Sequence, residues 1–82
     1  MTPLEKEKLL LTIGERIRKT RLRRDKTTKE IAFHLKLTTQ AYGNIERGRC
    51  DICVSRLIEL SKLLGVSVIY FVPKELQNMV AV

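Results

Sequence analysis

The stretch from Thr27 to Gly48, TTKEIAFHLKLTTQAYGNIERG, constrains the fold more than any other part of the sequence. It holds two helix-start signals with room for only a sharp turn between the helices they open. Thr27 is a candidate N-cap, and Glu30, three residues on, completes a capping box in which each side chain bonds the other's backbone N–H. Ile31 and Leu35 are four apart and share one helical face. Thr38 opens the second pattern, Tyr42 and Ile45 fall together on its inner side, and Gly48 is the residue type on which helices commonly stop. Lys36 and Leu37 are left for the turn.

The second of these helices divides its residues by face. Ala41, Tyr42 and Ile45 are expected inward, and Thr39, Gln40, Gly43 and Asn44 outward. Short and amide-bearing side chains hold a core poorly. They suit the base edges of a duplex, because Gln and Asn can accept from adenine N6 and donate to N7 together. The same residues also fit an ordinary solvated helix, so the rest of the chain has to weigh in. It carries a formal charge of +7 over 82 residues, with a pI near 9.9. That excess favours a polyanion (DNA, RNA or an anionic membrane surface), and composition does not choose among them. A chain of this length makes one domain with one modest core, which gains from a partner subunit. No apolar run approaches the ~20 residues of a membrane span. Charged Glu5–Lys8 precede the short Leu9–Leu11 run, which is unlike a signal peptide, so a cytoplasmic protein is expected.

Upstream, Thr2-Pro3-Leu4-Glu5 combines an N-cap, a proline at the first helical position and a glutamate three residues past the cap. The apolar spacing then runs through Leu10, Ile13 and Ile17 toward Arg21 and Arg24. Gly14 costs about 1 kcal/mol inside a helix, so a break near Thr12, with Thr12 and Glu15 capping a second start, stays open. Arg16, Arg18, Lys19, Arg23, Arg24 and Lys26 form a basic face. It is either merely solvated or laid along a phosphate backbone. Downstream, the RCDIC loop leads into Val54, Leu57, Ile58, Leu60, Ser61 and Leu64, an amphipathic pattern ending at Gly65. Val66–Phe71 has strand propensity, but no second strand is available to pair with it. A short helix opened by Ser67 and ended by Pro73 is expected instead. In residues 74–82, Leu76, Met79 and Val80 could make a last helical turn or an arm on a second subunit.

With IGERIRKTR, TTKEIAFHL, TTQAYGNIERG and LIELSKLLGVS in place, residues 13–71 resemble the phage repressor and Cro type of helix-turn-helix domain, the xenobiotic-response-element family of bacterial regulators. The resemblance implies an all-α, compact five-helix, lambda-repressor-like domain with a long first helix. It implies residues 1–12 as a helical extension, 13–72 as the DNA-binding domain and 73–82 as a tail. It further implies a homodimer on palindromic double-stranded DNA, with half-sites about one helical turn apart. By the same resemblance, Thr39, Gln40 and Asn44 read base edges, and Ala41 and Gly43 face the groove with little chemistry beyond a methyl contact or close approach. Thr28 touches phosphate where the family commonly has Gln, and Arg47 and Arg49 follow the backbone in the loop. Arg21 and Glu46 form a charged pair whose role is structural. The chain departs from the pattern at Lys36, where Gly is usual, at Gly43, which weakens the helix, and at Ile52, which replaces a common Pro.

Cys50 and Cys53 make a C-x-x-C. Zinc wants four ligands and His34 is the only other soft one, so a metal site would need Cys₄ shared across a dimer. A redox switch in the loop and a plain reduced pair, with Cys53 near the next N-cap, are the other readings. No Ser/His/Asp set, phosphate-cradling glycine loop or paired carboxylates appear, His34 reads as a surface residue, and Tyr42 and Tyr70 are expected to pack. No enzyme, cofactor or metal is therefore expected. Three roles on the same fold compete with a free-standing regulator: an antitoxin binding a toxin, a restriction–modification controller protein, and a protein-interaction module without DNA binding.

Overall fold

The computed structural model describes residues 1–74. Four α-helices, α1 Pro3–Arg23, α2 Thr28–Leu35, α3 Thr39–Glu46 and α4 Val54–Leu64, are followed by a 3₁₀ helix, Val68–Phe71. No strand occurs among the described residues. The expected all-α domain is present, with its fifth helix a 3₁₀ turn. Ser67 caps that turn, accepting from the Ile69 N–H, and the Val72 N–H closes on the Ile69 carbonyl at 3.0 Å. The short span between Gly65 and Pro73 leaves room for only one such tight turn.

Both capping boxes form. Thr2 and Glu5 exchange bonds of 3.0 and 3.2 Å at the start of α1, and Thr27 and Glu30 exchange two of 3.1 Å at the start of α2. The four α-helices end alike. Asp25, Lys36, Gly48 and Gly65 adopt left-handed backbone, and the next N–H (Lys26, Leu37, Arg49, Val66) reaches back five residues to a carbonyl of the last turn. Lys36 does this with a side chain, at φ 59°. A non-glycine residue there costs about 1 kcal/mol. Lys36→Gly is therefore expected to raise stability by up to ~1 kcal/mol, a rise in Tm of roughly 4–8 °C in a domain this small. An unchanged or lower Tm in a thermal melt contradicts it.

The break considered near Thr12 does not occur. The Thr12 hydroxyl bonds the Lys8 carbonyl at 3.0 Å within an unbroken turn. Residues 3–12 are thus the first half of α1 and pack against the loop that follows α3. Lys6 pairs with Asp51 at 2.8 Å, and a Cβ at Gly48 would stand 2.8 Å from the Leu11 Cα. Gly14 is buried where α1 passes the end of α3. A Cβ there would lie 2.5 Å from the carbonyl oxygens of both Ile45 and Glu46. The two backbones touch, and only glycine permits it.

The core is built from Ile13 and Ile17 of α1, Ile31, Ala32 and Leu35 of α2, Tyr42 and Ile45 of α3, Leu60 and Leu64 of α4, and Phe71. Each large side chain buried there contributes about 1.5–3 kcal/mol. The basic face of α1 is corrected in part. Arg16 donates to the Tyr70 and Val72 carbonyls at 3.2 and 3.4 Å, and Arg24 to the Gly65 carbonyl at 3.3 Å. Arg23 donates to the Tyr70 hydroxyl at 2.6 Å and stands 5.6 Å from the ring centre. Arg16 and Arg23 bind the 3₁₀ turn to α1, and Arg24 binds the end of α4 to it. Arg18, Lys19 and Lys26 stay exposed, Lys19 beside Glu15 at 2.9 Å. Leu76, Met79 and Val80, assigned to a last turn or an arm, lie outside the described residues.

Candidate nucleic-acid interface

Three features present α3. The Thr38 hydroxyl caps its first turn, accepting from the Ala41 N–H at 3.0 Å. Tyr42 and Ile45 plug its inner side into the core, at 0% and 8% exposure. Beneath its last turn, Arg21 Nε and Nη2 grip the Glu46 carboxylate at 2.7 and 3.2 Å, a fork on a fork. The Tyr42 hydroxyl donates to the same carboxylate, and Arg21 Nη1 donates to the Lys26 carbonyl at 2.9 Å. The Arg21 and Glu46 side chains are 10% and 7% exposed. Burial pushes the Tyr42 hydroxyl well above its ordinary range, and its bond to Glu46 pushes the same way. The bond to Glu46 also raises the Arg21 guanidinium above its usual value. Both shifts favour the protonated forms, so in this network Arg21 keeps its charge and Tyr42 stays a donor.

Thr39 and Gln40 are exposed and Asn44 is half-buried. Ala41, expected inward, is half-buried, in keeping with its other assignment as a groove-facing position. Gly43, expected outward, is buried. The cause is Arg47, whose guanidinium folds back over it: a Cβ at 43 would meet Nη1, Nη2 and Cζ at 3.0, 3.1 and 3.4 Å. The same guanidinium donates to Asn44 Oδ1 at 2.9 Å. Thr28, in the first turn of α2, is half-buried, and Arg49 is exposed just past Gly48. The structure therefore brings Arg21 and Glu46 into contact, and Asn44 and Arg47 into contact. It leaves Thr39, Gln40 and Arg49 presented to solvent. Reading the sequence missed the Tyr42 hydroxyl on Glu46, the close approach at Gly14, and the fold-back of Arg47.

Cys50 is half-buried against the core, and Cys53 is the exposed N-cap residue of α4. Both are free thiols. A hydrogen bond with Ser55 at 3.2 Å lowers the Cys53 thiol below its ordinary value. His34 is exposed, edge-on to the exposed Phe33. Among the described residues, no group of His, Cys, Asp and Glu is placed to hold a metal ion. No helix among them is long and apolar enough to cross a membrane.

The profile of a helix-turn-helix family matches residues 17–71, from the core of α1 to the end of the 3₁₀ turn. The chain belongs to the helix-turn-helix family. The matched segment contains α2, α3 and both partners of the Arg21–Glu46 pair. A stretch of 54 residues, 66% of this chain, is 37% identical to the SPbeta prophage-derived uncharacterized HTH-type transcriptional regulator YonR of Bacillus subtilis (strain 168). It spans 50% of that relative's length. Among solved structures, the restriction-modification controller protein C.AhdI from Aeromonas hydrophila superposes with a TM-score of 0.70 at 22% identity, over 76% of this chain and 94% of that one. The S. venezulae BldD DNA-binding domain does so with a TM-score of 0.71 at 24% identity, over 80% and 99%. At such identities the likeness is one of fold.

Proposed function

We propose that this chain is a sequence-specific, duplex-DNA-binding transcriptional regulator that lays α3 in the major groove. One observation carries the reading. Thr39 and Gln40 stand exposed at the start of a helix whose other side is locked into the core by Tyr42, Ile45 and the Arg21–Glu46 pair. A rigid helix that offers an amide and a hydroxyl from its first turn is the docking arrangement of this motif. Thr39, Gln40 and Asn44 are the base readers. Thr28, Arg47 and Arg49 contact phosphates. With the formal charge of +7, they supply most of the affinity and make it fall steeply with salt.

A homodimer on a palindromic operator is part of the proposal. Val54 and Ile58 of α4, and Ile69 and Tyr70 of the 3₁₀ turn, remain 70%, 40%, 38% and 37% exposed in the single chain. They supply apolar surface for a second copy, on elements remote in sequence from the reading face.

The test is selection of bound duplexes from a random pool, followed by gel shifts with variants. Gln40→Ala is expected to weaken binding to the selected site about 5–150-fold, the worth of one bidentate amide contact, and to leave Tm unchanged. A pool that yields no common sequence, or a Gln40→Ala protein that binds as tightly as wild type, overturns the reading.

A further inference from the structure

The geometry points to Arg47 as the residue that decides which base Asn44 accepts. This inference rests on the base-reading role proposed above for α3. Arg47 Nη2 donates to Asn44 Oδ1 at 2.9 Å. A guanidinium carries donors only, so the amide oxygen is the atom that faces it, and the amide NH₂ is turned away. An unheld Asn reads adenine by accepting from N6 while donating to N7. With its oxygen held, Asn44 approaches a base edge with two donor hydrogens. Two donors match guanine, whose O6 and N7 both accept, and thymine, whose O4 accepts. They face the N6 amino group of adenine without an acceptor, and cytosine offers only its N4 amino donor.

Gly43 belongs to the same device. The three nearest atoms to a Cβ at this position would all be guanidinium atoms of Arg47, at 3.0–3.4 Å. A residue four positions on lies over the same strip of helix surface. The missing side chain at 43 is the space in which Arg47 lies flat enough to reach Asn44. Gly43, a poor residue for a helix interior, is thereby explained. Arg47 acts here as a positioning residue, and its other N–H groups stay available for a phosphate.

Duplexes selected from a random pool by wild type, Asn44→Ala, Arg47→Met and Gly43→Ala test this by sequencing. The position whose preference flattens in Asn44→Ala is the one Asn44 reads. Wild type is expected to favour guanine or thymine there over adenine by about 5–150-fold. Arg47→Met releases the amide oxygen, and the preference at that position alone is expected to move to adenine. Loss of a phosphate contact only would weaken all sequences alike and reduce the salt dependence, without moving a base preference. Gly43→Ala is expected to push the guanidinium aside and move the same position the same way while raising Tm, which excludes misfolding as the cause. Adenine or cytosine favoured by wild type at that position, no position flattened in Asn44→Ala, or an unmoved preference in Arg47→Met each overturns the inference and leaves the regulator standing. A wild type that selects no duplex overturns both.

Discussion

Gly14→Ala is expected to lower stability by roughly 2–3 kcal/mol, the scale of a steric misfit in a packed interior. In a domain of this size that lowers Tm by about 10–20 °C. Helix propensity alone predicts the opposite, a gain of about 1 kcal/mol. The contact decides. The added carbon would sit 2.5 Å from two carbonyl oxygens, Ile45 and Glu46, and neither belongs to a side chain that can turn away. Relief requires α1 to lift from α3, which opens the core around Ile13 and Ile45 and pulls Arg21 from Glu46. Gly43→Ala is the control, because the obstacle there is the loose end of Arg47. The same substitution in two helices should therefore shift Tm in opposite directions. A Gly14→Ala protein as stable as wild type in thermal and urea unfolding would show that the helices are not in backbone contact.

Glu46→Ala is expected to cost about 3–5 kcal/mol, because it leaves the Arg21 charge buried without its partner. With small domains holding only 5–15 kcal/mol in total, the variant stands near the edge of unfolding at room temperature. Tyr42→Phe removes only the hydroxyl bond to the same carboxylate, and about 1 kcal/mol is expected. Replacing both charges together, as Arg21→Met with Glu46→Leu, is expected to recover most of the loss, since the damage lies in the stranded charge rather than in the missing pair. Urea midpoints for the four proteins check the order. If Glu46→Ala matches wild type, the pair holds nothing in place. The contrast with Gln40→Ala, which should spare the fold and weaken DNA binding, separates the residues that hold α3 from those proposed to read with it.

Much of the fold was legible because its punctuation is local. Thr2, Thr27, Thr38 and Ser67 all cap as read, and Gly48 and Gly65 stop their helices, since each signal acts within one turn of chain. The exposed face of α3 was legible at Thr39 and Gln40 for a related reason: Tyr42 and Ile45 fix the buried side, and exposure of the other side follows. What stayed hidden depends on partners far along the chain. Gly14 looked like a flaw in a helix because the carbonyls it makes room for lie on another helix. Arg16, Arg23 and Arg24 looked like a solvated or phosphate-facing charge run because their acceptors stand 54, 47 and 41 residues away. Gly43 was misplaced even though Arg47 is close by. Side-chain periodicity sorts Cβ directions, and a glycine has none, so its burial is set by whichever neighbour lies down on it.

The unbroken α1, at about 1.5 Å per residue, runs most of the 32 Å length of the molecule. Its first half touches the loop after α3, and its second half touches the last described turn. The second half of α1 therefore meets some of its partners only once Val68–Phe71 have been made. A fragment lacking Val68–Phe71 loses Phe71 from the core and the Tyr70 carbonyl that Arg16 holds. The described domain should consequently fold in a single cooperative step, with no stable half-built form.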